Sequence, residues 1–219
     1  LLPARKTAFW LHVCVGYCLL AGLLCAGIVP PLSQGSVNFQ SFGYGEGDLS
    51  LVGNTSILQD ESISLPGNVK RLRLTADQAS QEGTAWLLQK MNLGHGFTTV
   101  FSIHLLADGG AGGEGLSFIV QNDDAGSGLA CGVQGPGAKD LTVAFLTDGG
   151  PVLKVSSNGE ELKVVDLAAV DGLPGLALTS ADKGSSPHVV RVDWAFGLLS
   201  VWLNGVHVLV DHQVDLLTK

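Results

Sequence analysis

His188-Val-Val-Arg-Val-Asp-Trp194, followed by Leu198-Leu-Ser-Val-Trp-Leu-Asn-Gly-Val-His-Val-Leu-Val210, decides the fold class. Val190, Val192 and Trp194 recur at every second residue, and so do Leu199, Val201 and Leu203. A period of two puts such residues on one face of a strand. Asn204-Gly205 then interrupts the pattern. That dipeptide is the strongest short hairpin signal, because both residues tolerate positive φ. Val206, Val208 and Val210 supply the return strand. Three consecutive antiparallel strands follow from this stretch alone.

The same period runs outward from it. Thr99, Phe101, Ile103 and Leu105 share a face, with Thr98, Val100, Ser102 and His104 opposite. Leu141, Val143 and Phe145 share another, with Thr142, Ala144 and Leu146 opposite. Leu116, Phe118 and Val120 alternate with Ser117, Ile119 and Gln121. Apolar residues on both faces require two packed sheets rather than one sheet open to water. Only residues 76–81 and 167–170 carry a helical tint. The glycines, 30 in all, gather between the strand patterns, at 108–113, 125–128, 132–137 and 148–150. Tight turns and end loops use glycine in this way, and ligands are commonly read at such loops. The expected fold is an all-β antiparallel sandwich in one domain, a size at which one core suffices.

Charge and the N-terminus bound the setting. The net charge is −8, with no cluster of Lys and Arg, which argues against a nucleic-acid partner. Arg5 and Lys6 precede an apolar run that starts at Ala8 and ends at Val29, before Pro30-Pro31. A basic flank before an apolar run is a targeting signature. Its length, close to the roughly 20 residues that span a bilayer, fits a cleaved signal peptide or an uncleaved membrane anchor. Residues 1–36 are therefore expected to form a targeting segment with a hydrophobic helix and a short linker. The domain that follows is expected outside the cell or in the secretory lumen. Cys14, Cys18 and Cys25 lie in the run; Cys131 lies in the domain without a partner there, so no disulfide framework or thiolate metal site is expected. Asn54-Thr55-Ser56 is an N-glycosylation sequon, with Asn54 as the acceptor.

Several segments, in order, carry a likeness. Val37-Asn-Phe-Gln-Ser-Phe42, Asp48-Leu-Ser-Leu-Val-Gly-Asn-Thr55, Arg71-Leu-Arg-Leu-Thr75 and Gly83-Thr-Ala-Trp86 come first. Phe97-Thr-Thr-Val-Phe-Ser-Ile103, Gly113-Glu-Gly-Leu-Ser-Phe-Ile-Val-Gln-Asn122 and the two strands of the opening stretch follow. The series resembles the legume-type (L-type) lectins of the concanavalin-A-like superfamily, from Val37 to Leu216. The resemblance implies a jelly-roll sandwich over residues 37–219. It also implies that the chain stops short of a last strand, which in the family follows the place of Val214-Asp215-Leu216.

The same resemblance implies carbohydrate binding, with glycans or glycoproteins as partners. Glu114 stands where the family has an Asp that accepts hydrogen bonds from sugar hydroxyls. Gly126-Ser127-Gly128-Leu129 stands where a glycine loop donates backbone N–H groups, which makes Gly126, Gly128 and Leu129 candidate contacts. The metal site departs from the family. A Glu-Phe-Asp-Thr strand that holds calcium and a transition metal reads Ala144-Phe145-Leu146-Thr147 here. Calcium takes six to eight oxygen ligands, and Ala144 and Leu146 offer none from their side chains. Gly150 stands where an Asn is expected, and residues 152–157 lack the expected His. Asp148 is the carboxylate left over. No metal cofactor is expected, and a lectin-derived interaction domain without sugar binding is the alternative reading.

Catalysis is not expected. Related glucan hydrolases carry Glu-x-Asp-x-Glu on one strand, and retaining chemistry needs carboxyl groups about 5–5.5 Å apart. Asp60-Glu61, Asp123-Asp124 and Glu160-Glu161 are adjacent pairs, whose side chains point to opposite faces of a strand. His95, His104, His188, His207 and His212 show no metal-protease spacing and accompany no nucleophile motif.

Overall fold

The computed structural model describes residues 7–12, 42, 46–59, 70–78, 81–88, 91, 93, 96–106, 114–121, 140–180 and 186–216. These residues are mostly strand, in antiparallel sheets, and the all-β expectation holds. The smaller of the two main sheets contains β7 (Gly115–Gln121), β8 (Asp140–Leu146), β9 (Val152–Ser157) and β10 (Glu160–Asp166), in the spatial order β10-β9-β8-β7.

The larger sheet draws on the whole chain. Its members are β1 (Thr7–His12), β3 (Ser56–Gln59), β4 (Lys70–Gln78), β6 (Phe97–Leu106), β12 (His188–Ala195), β13 (Leu198–Leu203) and β14 (Val206–Gln213). They lie in the order β14-β13-β12-β6-β1-β4-β3, and the short β11 (Thr179–Ser180) adds to β6 in parallel. A third ladder pairs β2 (Leu49–Gly53) with β5 (Gly83–Leu87).

The core lies between the two main sheets. Phe101, Ile103 and Leu105 of β6, Val190, Val192 and Trp194 of β12, and Leu199, Val201 and Leu203 of β13 are all buried. They meet Leu116, Leu141, Val143, Phe145, Leu153 and Val155 of the smaller sheet. Phe118 joins the layers, its ring 5.8 Å from that of Phe101 and 5.9 Å from that of Phe97. Burying a side chain of this kind stabilises by about 1.5–3 kcal/mol. The alternation read from the sequence is thus the alternation of the core. A second cluster, around Phe42 and Leu72, packs the β2–β5 ladder against β4.

Two expectations change, and one expected strand departs from its period. The apolar run does not begin as a helix, because Thr7–His12 is a strand paired with both β4 and β6. An apolar segment without a visible period cannot be assigned to strand or helix by its pattern alone, and here two flanking strands take up the backbone donors and acceptors of its first residues. The rest of the run, from residue 13 on, lies outside the described residues. Residues 76–78 extend β4 rather than starting a helical turn, whereas Leu167–Ala169 does form a 3-10 turn. In β14, Val208 and Leu209 are buried while Val210 is 61 % exposed. Two shifts of register between β13 and β14 reverse the facing halfway along, beside Asp211 at φ 44°. A bulge of this kind adds a residue and breaks the period of two.

Candidate ligand-binding end of the smaller sheet

Glu114 sits at the mouth of β7, and its position is set by backbone packing. Gly115 pairs with Leu146, and the Thr147 N–H donates to the Glu114 carbonyl at 3.0 Å. Gly115 has φ +147°, and a Cβ there would lie 2.2 Å from the Phe145 carbonyl oxygen. Only glycine fits so close an approach. Phe145 is itself fully buried. The glycine therefore ties the acid to the core, while the Glu114 side chain stays exposed.

The β8–β9 turn lies beside it. Asp148 and Gly149 are exposed, and Gly149 and Gly150 hold φ of +81° and +127° with nothing within 4 Å of an added Cβ. Further along the same end, Leu167 N–H donates to the Pro151 carbonyl at 2.9 Å. The Asp166 carboxylate accepts from Ala168 N–H at 3.0 Å and caps the 3-10 turn. This end of the sheet thus offers two exposed carboxylates, Glu114 and Asp148, over an open glycine turn. The structure brings those two candidates to one end. Gly126, Gly128 and Leu129 lie outside the described residues.

The strand expected to bear metal ligands has a different chemistry on its outer face. Ala144, only 2 % exposed, pairs with Ser117 of β7 and with Lys154 of β9. Lys154 Nζ lies 3.0 Å from Glu161 Oε2. Lys154 and its ion pair were not singled out by sequence, though the period of β9 puts Lys154 opposite the face of Leu153 and Val155. Among the described residues, no three His, Cys, Asp or Glu side chains come together to hold a metal ion.

Elsewhere, Asn54 is exposed in the turn between β2 and β3. Its N–H donates to the Glu82 carbonyl at 2.8 Å, and its Oδ1 accepts from Glu82 N–H at 3.3 Å. On the outer face of the larger sheet, Trp202 stacks on His207 with 4.2 Å between ring centroids and 7° between planes. The Arg191 guanidinium lies 4.8 Å from the Trp202 centroid and forms an ion pair with Asp193. Trp202 is flanked by Arg191 from β12 and His207 from β14, so this half-buried indole is already engaged by its neighbours. Alternation in β12 and β13 makes Arg191 and Trp202 legible as an outward pair. Among the described residues no helix is long and apolar enough to cross a membrane. No protein-family model matches this chain, and a search of curated proteins finds no match.

Proposed function

We propose that this chain binds carbohydrate through the end of the smaller sheet, as a domain of the L-type lectin kind with a concanavalin-A-like jelly roll. The observation that carries the reading is Glu114: an exposed carboxylate whose backbone is fixed to the core through Gly115 and Thr147. A carboxylate on a fixed backbone accepts hydrogen bonds from a pair of sugar hydroxyls, each bond contributing about 1.5–3 kcal/mol against the entropy of ordering one side chain. Beside it, the turn at Gly149 and Gly150 has nothing within 4 Å of an added Cβ. Gly126, Gly128 and Leu129 would supply backbone donors in the family's manner. The binding is metal-independent, and the domain works in the secretory lumen or outside the cell, where Asn54 can carry a glycan. No catalytic role is proposed.

A second reading keeps the fold without the sugar. Ala144, Leu146 and the Lys154–Glu161 pair favour it, because they replace the family's metal chemistry with a methyl group, an isobutyl group and an ion pair. The deciding experiment is a glycan-array screen of the full chain, in calcium and again in chelator. The first reading expects binding in both. Binding lost with chelator contradicts the metal-independent account. A folded sample silent in both conditions favours an interaction domain.

A further inference from the structure

β14 stands at one end of the larger sheet, and among the described residues it pairs with β13 alone. The outer side of such a strand presents unpaired donors and acceptors, a template for a strand of another molecule. β14 suits that role by length and composition. It has eight residues, four of them Val206, Val208, Leu209 and Val210, with no proline and no Lys or Arg. By contrast β10, at the end of the smaller sheet, carries Glu160, Glu161, Lys163 and Asp166. The one carboxylate of β14 is that of Asp211.

Asp211 sits where the ladder breaks. The eight residues of β14 face the six of β13. Leu203↔Val206 and Trp202↔His207 are followed by Val201↔Leu209, and then by Leu199↔His212 and Leu198↔Gln213. Ser200 therefore stands against both Val210 and Asp211, the two-against-one count of a bulge. Asp211 takes φ 44°, a left-handed conformation that Asp tolerates better than most residues. Its N–H donates to Ser200 Oγ at 3.0 Å, and Ser200 Oγ donates to Asp211 Oδ1 at 3.0 Å. A hydroxyl can accept and donate at once. Ser200 is buried, whereas Val210 and Asp211 are exposed. The kink, the charge and an exposed valine thus fall on adjacent residues, held by one side chain from inside the sheet.

We infer that the Ser200–Asp211 clasp guards this edge: it holds the bulge that keeps β14 from pairing with β14 of a second copy of the chain. Two effects combine. The bulge bends and twists the strand, so a straight partner strand cannot follow its donors and acceptors. The carboxylate at the bulge must also give up water before a second chain can close on it. Without the Ser200 hydroxyl the bulge loses both side-chain bonds that hold it, and a straighter strand offers its main chain and Val210 to a second copy. An antiparallel pair of β14 strands is isologous, the commonest way for a chain to meet itself. The inference does not depend on carbohydrate binding.

The test is sedimentation velocity of the full chain over a series of concentrations. Ser200→Ala removes both bonds of the clasp, and Ser200→Thr keeps the hydroxyl. Asp211→Ala removes the carboxylate at an exposed position, and it carries the test by itself if Ser200→Ala does not fold. Ser200→Ala and Asp211→Ala should each self-associate at least about 10-fold more tightly than wild type, the effect of a few new main-chain hydrogen bonds. Ser200→Thr should match wild type. Adding Val210→Lys, which puts a charge on the pairing edge, should return both associating variants to the wild-type level. Variants that associate no more tightly than wild type would overturn the inference, since the bulge would then serve the fold alone. So would association that Val210→Lys leaves unchanged, because another surface would then be responsible.

Discussion

The β12–β14 hairpins and the Glu114 end of the smaller sheet are both glycine-containing strand ends, but they are finished in opposite ways. The hairpins are closed by their own chain. Asn204 donates its N–H to the Val189 carbonyl at 2.8 Å and accepts Val189 N–H on its side chain at 2.9 Å. Its amide also meets His188 Nδ1 at 2.9 Å. At the other hairpin tip, Val214 N–H donates to the Gly197 carbonyl at 2.8 Å, and the Trp194 indole donates to the Val214 carbonyl at 2.9 Å. At the Glu114 end Gly149 and Gly150 have nothing within 4 Å of an added Cβ, as is also true of Gly205 at the hairpin, and what differs is the exposed acid seated on a glycine packed against the core. A ligand could approach Glu114 without dismantling the core beneath it. The hairpin ends are tied by side-chain bonds; the Glu114 end presents the carboxylate on which the proposed recognition rests.

The sharpest way to break this contrast is at the one glycine that joins the open end to the core. Gly115→Val drives a side chain into the Phe145 carbonyl and forces a non-glycine residue to φ +147°. Backbone strain and overpacking together cost about 3–5 kcal/mol, to be read as a fall in the urea midpoint. Gly149→Ala separates strain from space, because φ is +81° but nothing lies near the new methyl. It should cost about 1 kcal/mol. A loss as large as that of Gly115→Val would mean that the open turn is packed after all.

At the closed end, Asn204→Ala loses the turn preference and the bond to Val189 N–H. The expected loss is about 1–2 kcal/mol by urea unfolding. Asn204→Gly restores the positive φ but not the side-chain bond, so it should lie between Ala and wild type. The smallest effect is expected at Lys154→Met. The Lys154–Glu161 pair is partly exposed, with side chains 24 % and 54 % accessible, and such pairs contribute at most about 1 kcal/mol. Its unfolding midpoint should scarcely move, and less so in high salt.

The two ends also differ in how far they can be read from sequence. The hairpin strands were legible because each signal is local: Val190, Val192 and Trp194 alternate, and Asn204-Gly205 names its own turn. Their core faces are where the period put them. Val206, Val208 and Val210 do make the return strand, but nothing in Val206-His-Val-Leu-Val210 marks the two register slips that turn Val210 outward. Thr7–His12 was misread for a larger reason. Its pairing partners lie some 60 and 90 residues away in the chain, and no pattern within the segment reports them. At the site, Glu114 and its glycine were legible as a motif, but the reason for Gly115, a carbonyl on β8, was not. Lys154 beside Ala144 likewise follows only from the register of β8 with β9.

The most direct measurement is a titration of the best glycan-array ligand, by calorimetry, into wild type and Glu114→Gln. The substitution keeps the shape of the side chain and removes its charge, and the exposed position leaves the fold intact. Losing the charge from one or two hydrogen bonds to sugar should weaken binding by about 10-fold or more, with an unchanged unfolding midpoint. Equal affinity for the two proteins would contradict the account and move recognition away from Glu114.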